Sequence, residues 1–296
     1  SLGSSYLIPY IATQGTEVSK GSASLAAGGG FLGAGHGILL YGMLTEFEDI
    51  GSGFPLLMLA GSLSEYLGGY YYAKANNLSG GQASMMTSNG SLFGLHSLGI
   101  AYVIGLFDYD SPKQAGYTLG FFGSAAGIVI GKVMSNSGIY TSGDAGIYTN
   151  TALIGTITGL TISAFTEIGD AKAAAGVMML CTGLGQLAAT SFLDDYDFSD
   201  SHATYAALGT VGGYLIGMSI GVSASDYKTT LILGNIGAIA GFALVVSGQT
   251  DNAKKIEIVE NVDFNINPYS LFAYNNIDFD PMMHRPAKIA EIRYSF

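Results

Sequence analysis

The chain has 296 residues, 49% of them hydrophobic and only 11% charged, with 44 glycines and no tryptophan. Soluble domains carry roughly twice that charged fraction, and a mean hydropathy of +0.38 is high for a water-soluble body. Twenty-two acidic against 11 basic residues leave a net charge of −11, which excludes nucleic-acid binding because that requires a basic face to displace phosphate counterions.

The chain opens "SLGSSYLIP" without methionine, a start that fits removal of a signal peptide or an upstream segment. Residues 1–18 read as an N-terminal extension. A repeat begins at residue 19. "VSKGSASLAAGGGFLGAGHG" (18–37) aligns with "LSGGQASMMTSNGSLFGLHS" (78–97). It also aligns with "TSGDAGIYTNTALIGTITG" (141–159) after one deletion, and with "FSDSHATYAALGTVGGYLIG" (198–217). The leading serines Ser19, Ser79, Ser142 and Ser199 stand 60, 63 and 57 residues apart. Each precedes an apolar run, where a helix N-cap belongs. Small residues follow four apart: Gly33 with Gly37, Gly155 with Gly159, and Gly213 with Gly217. The second copy departs, with Phe93 where glycine is expected and a stripe shifted to Gly90 and Gly94.

Each copy contains a second apolar run: "FPLLMLAGSLSEYLGGYYYAK", "AGYTLGFFGSAAGIVIGKVM", "AKAAAGVMMLCTGLGQLAATSFL" and "KTTLILGNIGAIAGFALVVSG". Eight runs of about 20 residues are too long for strands and do not alternate. Gly209, Gly213, Gly217 and Gly221 recur at the i, i+4 spacing that shares one helix face. Ser111 followed by Pro112 marks a second style of helix start. Acid-rich linkers such as "TEFEDIGSG" and "DDYDFSD" are short enough to make consecutive helices antiparallel neighbours. The fold expected is all-α: four tandem glycine-rich hairpins over residues 19–248, followed by a polar tail, 249–296, with short strands. Glycine weakens a helix by about 1 kcal/mol against alanine. On one face it also lets two backbones touch, gaining van der Waals contact and Cα–H···O bonds. The ladders Gly33, Gly37, Gly155, Gly159, Gly209, Gly213, Gly217 and Gly221 are therefore expected to be packing surfaces.

A run of 20 helical residues spans about 30 Å, the thickness of a hydrocarbon core. The runs contain polar residues such as Ser88, Asn89, Thr156, Thr158 and Asn235, and lysines do not concentrate at one end of the hairpins. Conventional inner-membrane insertion is thus disfavoured. A membrane-associated assembly of a bacterial envelope is expected, at the outer membrane rather than the inner, with a soluble α-solenoid as the alternative. In the tail, Ile292, Tyr294 and Phe296 alternate to a terminal aromatic. That ending resembles the last strand of bacterial outer-membrane barrels, so a whole-chain β-barrel is the alternative fold; an edge strand folded back on the helices is the simpler expectation. The serine–glycine–alanine repeats over residues 6–248 also resemble an uncharacterised class of glycine-rich tandem-hairpin envelope proteins of Gram-negative bacteria. That resemblance implies no activity.

Chemistry has one foothold. His36 and His96 each lie 17 residues after a capping serine, and Glu65 lies between them in "LLMLAGSLSEYLGGYYY". Three such groups at similar depth form a candidate polar cluster able to bind a metal or relay protons; the plainer expectation is that Glu65 accepts hydrogen bonds from serines or from one histidine. "GGGFLGAGHG" has no preceding strand to make a nucleotide loop. "DDYDFSD" lacks the glycine and distal glutamate of a calcium loop. Asp278, Asp280 and His284 fall in a segment that reads as a turn. Cys181 reads as a small core residue. The expectation is a non-enzymatic structural protein without cofactor or metal, whose partners are other envelope or membrane proteins, with lipid contact. A pore or carrier with polar groups around Glu65 is the alternative.

Overall fold

The computed structural model describes residues 18–48, 50–137, 140–223, 226–250 and 253, and the backbone of 262–266 and 290–294. Among these residues eight helices follow in order: α1 (Lys20–Thr45), α2 (Gly53–Ala75), α3 (Gly80–Val103), α4 (Lys113–Ser137), α5 (Ser142–Phe165), α6 (Ala171–Leu193), α7 (Asp200–Val222) and α8 (Tyr227–Gln249). The expected all-α body of hairpins holds. The β-barrel alternative does not, because each of the eight apolar runs closes its backbone hydrogen bonds within a helix.

Consecutive helices pair as antiparallel hairpins, α1 with α2 through α7 with α8. The first helices α1, α3, α5 and α7 stand in a row, each packed on the next. The second helices lie beside this row: α4 also packs on α1, α6 on α3, and α8 on α5. The row therefore supplies most of the buried residues, while α2 and α8 bury only two and three residues respectively.

Local chemistry sets the helix starts. Ser19, Ser79 and Ser199 are N-caps whose hydroxyls accept the N–H of Ser22, Gln82 and His202 at 3.1–3.2 Å. The third start differs from expectation. The cap of α5 is Thr141, and Ser142 is the first helical residue. Thr141 wins because Asp144 stands three residues on. The Thr141 hydroxyl accepts the Asp144 N–H at 3.0 Å, and the Asp144 carboxylate accepts the Thr141 N–H at 2.8 Å, a reciprocal box that satisfies two otherwise orphan donors.

At the opposite end of the row, turns after α1, α3 and α5 use left-handed residues: Glu46 (φ 52°), Gly105 (φ 85°) and Glu167 (φ 55°). The Leu106 N–H returns to Ala101 O at 2.8 Å and that of Ile168 to Ser163 O at 3.1 Å, closing the helix ends. Neighbouring hairpins are latched here by Lys172 on Asp108 at 2.6 Å and by Lys228 on Glu167. Beyond α8, β1 (Val262–Ile266) pairs antiparallel with β2 (Ala290–Tyr294), Val262 opposite Tyr294. The strand expected near the terminus is thus paired with another strand of the tail. Phe296 and the group Asp278, Asp280 and His284 lie outside the described residues.

Candidate functional site

The glycine ladders bring each hairpin's backbones together. A Cβ placed at Gly29 or Gly69 would lie 2.5–2.6 Å from a carbonyl oxygen of the partner helix, Glu65 O and Leu25 O respectively. Gly33 faces Gly61 O and Gly37 faces Leu57 O in the first hairpin. In the third, Gly155 faces Cys181 O and Gly159 the Met178 Cα. In the fourth, Gly209 and Gly241 face each other's carbonyls, as do Gly213 and Gly237, while Gly217 meets Leu233 O and Gly221 the Thr230 Cα. All eight glycines singled out in the sequence touch backbone of their hairpin partner. The second hairpin reverses the roles. Phe93 interrupts the α3 stripe, and α4 carries the ladder instead, with Gly127 against Asn89 O and Gly131 against Met85 O. Gly90 and Gly94 meet side chains of Ile128 and Ser124.

A second glycine set was not read from the sequence. Gly21, Gly81 and Gly143, each two residues after a cap, lie against Leu78 O, Tyr140 O and Phe198 O, the residue before the next cap. Hairpins therefore stack backbone to backbone at their capped ends. The signal was present as Ser-x-Gly, "SKG", "SGG" and, with the true cap, "TSG"; the fourth copy reads "SDS".

The close approach of α1 and α2 brings an imidazole and a carboxylate together at mid-helix depth. Side chains lean toward the N-terminus of their own helix. In an antiparallel pair this sends the Glu65 carboxylate from its position opposite Gly29 toward the next turns of α1. There Glu65 Oε1 meets His36 Nδ1 at 2.5 Å. The imidazole is buried and packs on the Phe121 ring of α4, centroids 4.8 Å apart. Glu65 sits roughly 15 and 18 Å from the two ends of α2 at 1.5 Å rise per residue.

His96 does not join this pair. Its Nδ1 lies 2.8 Å from Leu92 O in its own helix, so the three-membered polar cluster reduces to two. Among the described residues no group of three or more His, Cys, Asp or Glu side chains could hold a metal ion. Counted from the true cap Thr141, the third copy has Thr158 at this same offset, and its hydroxyl donates to Asn235 Oδ1 of α8 at 3.1 Å. The fourth has Ile216.

The polarity of the body is inverted in part, beside an apolar core that includes Met85, Ile147, Leu193 and Phe198. Asn89 is 0% and Thr210 1% exposed. Buried and half-buried polar side chains join the row of helices: Tyr148 OH donates to Asn89 Oδ1 at 3.1 Å, and Asn150 Nδ2 to Thr210 Oγ1 at 2.9 Å. Large apolar side chains face outward, with Phe31 76%, Leu180 71% and Leu244 74% exposed. Charged residues keep to the helix ends and turns, Glu65 and Lys132 excepted. Five helices, α1, α4, α6, α7 and α8, are long and apolar enough to cross a membrane. No protein-family model, curated protein or solved structure matches the chain.

Proposed function

We propose that this chain is a membrane-embedded, non-enzymatic structural component of a bacterial envelope assembly. The observation carrying the reading is the inversion: side chains such as Phe31, Leu180 and Leu244 face out while Asn89, Asn150 and Thr210 are inside. In water this arrangement exposes apolar surface beyond what soluble monomers tolerate. In lipid it costs nothing, and interhelical hydrogen bonds and close-packed small residues then drive association. Acids outnumber lysines at both ends of the row. Lys20, Lys74 and Lys132 stand with Asp144, Asp194, Asp195, Asp197 and Asp200 toward one end; Lys113, Lys172 and Lys228 stand with Glu46, Glu48, Asp108, Asp110, Glu167, Asp170 and Asp226 at the other. That lack of positive bias supports the outer membrane over the inner, and membrane proteins of the envelope are the partners this reading implies.

Fractionation tests it. The protein is expected in the membrane pellet after alkaline carbonate washing and in the detergent extract, with the outer-membrane fraction enriched. Recovery in the soluble fraction without detergent overturns the reading. A second reading, a carrier or pore with Glu65 on its path, is favoured by the mid-depth His36–Glu65 contact. Shallow hollows lined by Leu215, Ile216 and Ser219 of α7, and by Leu208, Ile236 and Leu244 of α7 and α8, lie elsewhere. Liposome flux unchanged by Glu65→Gln removes that second reading.

A further inference from the structure

We propose that His36 and Glu65 form an intramembrane proton-binding site, a role resting on the membrane-embedded reading above. Nδ1 of His36 and Oε1 of Glu65 lie 2.5 Å apart, within hydrogen-bond distance. His36 is 6% exposed, and its Nε2 is buried without a hydrogen-bond partner. The Glu65 side chain is 31% exposed on the outer surface of the hairpin.

Charge bookkeeping decides what the pair does. With one proton between them, the imidazole is neutral, the carboxylate is ionised, and the pair carries one negative charge. An isolated charge near the middle of a bilayer is costly. A second proton, taken on Nε2 or on the carboxyl, makes the pair neutral and removes that cost. No other charge at this depth substitutes for it. The remaining charged residues of α1, α2, α3 and α4 are Lys20, Lys74, Lys113 and Lys132, roughly two turns or more away along their own helices. Of the titratable groups nearby, Tyr66 covers Gly30 on the α2 side, and His96 of α3 is turned to Leu92 O. Gly33 and Gly37 flank His36 and hold α2 close enough for the two side chains to meet. The ligand class is the proton itself, held between Glu65 on α2 and His36 on α1.

The test is carbodiimide labelling of the full chain in liposomes, read by peptide mass. A protonated carboxyl adds its O–H across one N=C bond of dicyclohexylcarbodiimide, and the adduct rearranges to an N-acylurea with nothing leaving. Glu65 is expected to be the principal stable adduct, its labelling falling as pH rises, and Glu65→Gln removes it. His36→Gln removes the imidazole that pairs with the carboxylate, so the pH profile of labelling is expected to move. Failure of Glu65 to label at any pH, or a pH profile that His36→Gln leaves unmoved, overturns the site. A water-soluble carbodiimide with an amine, run in parallel, separates the two readings. If it modifies Glu65 as fast as the turn residue Glu167, the membrane embedding itself has failed.

Discussion

The α-carbon of Gly143 lies against the carbonyl oxygen of Phe198, the residue that precedes the cap of the next hairpin. Gly21 and Gly81 stand in the same relation to Leu78 and Tyr140. The fourth hairpin has Ser201 at that place, and no fifth hairpin lies on it among the described residues. The outer face of α7 changes in step. Positions filled by Asn150 and Thr158 in α5, which bond forward to Thr210 and Asn235, are Leu208 and Ile216 in α7, 63% and 66% exposed. A repeat that receives a neighbour needs glycine at the capped end and polar groups along the face. The last repeat needs neither, and its face is apolar. Gly143→Ala is therefore expected to destabilise by about 1–3 kcal/mol through overpacking against backbone, and Ser201→Gly to cost no more than about 0.5 kcal/mol of helix propensity. Thermal unfolding in detergent measures both. A Gly143→Ala midpoint equal to wild type contradicts the stacking.

Two glycines of α7 that are adjacent in sequence separate ladder from surface. A Cβ at Gly213 falls on the Gly237 carbonyl, whereas nothing lies within 4 Å of one at Gly212. Gly213→Leu, like Gly217→Leu, is expected to cost about 1–3 kcal/mol or more. Gly212→Ala is expected to be neutral or to gain up to about 1 kcal/mol of helix propensity. Equal effects at the two positions would mean that α7 and α8 are not in backbone contact.

Much of this was legible because glycine spacing encodes a face directly. The ladder Gly209, Gly213, Gly217 and Gly221 states both that the segment is helical and which side is shared. Phe93 shows the limit. Its presence in α3 signals only that the ladder is broken there. The stripe Gly116, Gly120, Gly123, Gly127 and Gly131 of α4 is legible at spacings of three and four, but that Gly127 and Gly131 meet the α3 backbone depends on how the two helices rotate against each other. His36 and His96 are equivalent in the repeat, yet only His36 has an acid in reach. Glu65 belongs to α2, whereas His96 turns its Nδ1 to Leu92 O of its own helix. Aligning the copies on serine also displaced the third cap by one residue, since Thr141 and Ser142 are both competent caps and only Asp144 distinguishes them.

That distinction is measurable. Asp144 is 0% exposed and accepts the N–H groups of both Thr141 and Phe198, at 2.8 and 2.7 Å. The Thr141 hydroxyl also donates to Phe198 O. Thr141→Ala is expected to cost about 0.5–2 kcal/mol as a lost cap. Asp144→Ala should cost about 1–3 kcal/mol for each buried donor left unpaired. Ser142→Ala should cost less than either. Chemical denaturation of the three variants ranks them, and Ser142→Ala as the worst of the three would restore the serine cap.

Glu167, in the turn after α5, has its carboxyl held below the usual range by the hydrogen bond and charge of Lys228. A depressed folded value places the latch's contribution above the ordinary carboxylate range and loses it as pH falls through the depressed value. Lys228→Met is expected to return Glu167 toward its ordinary titration, observable by the pH dependence of its carboxyl resonance. A titration unchanged by that substitution removes the latch.

The inversion of polarity makes opposite demands on two buried and exposed positions. Asn89 bonds Met85 O at 2.9 Å through Nδ2 and receives the Tyr148 hydroxyl. Asn89→Leu deletes both bonds and strands that hydroxyl between helices, so it is expected to destabilise by about 1–2 kcal/mol despite being more hydrophobic. Leu180, 71% exposed at the middle of α6, has no packing to lose. Leu180→Ala should leave the unfolding midpoint within about 0.5 kcal/mol of wild type. Leu180→Asp should instead reduce membrane incorporation, since a carboxylate at the centre of a spanning helix costs about 2.5–3.5 kcal/mol to insert. For a body standing in water the same substitution would improve solubility and leave yield unharmed. The yield of Leu180→Asp in the carbonate-washed membrane fraction, compared with Leu180→Ala, therefore reads the environment of this face directly: a deficit places it in lipid, and parity places it in water.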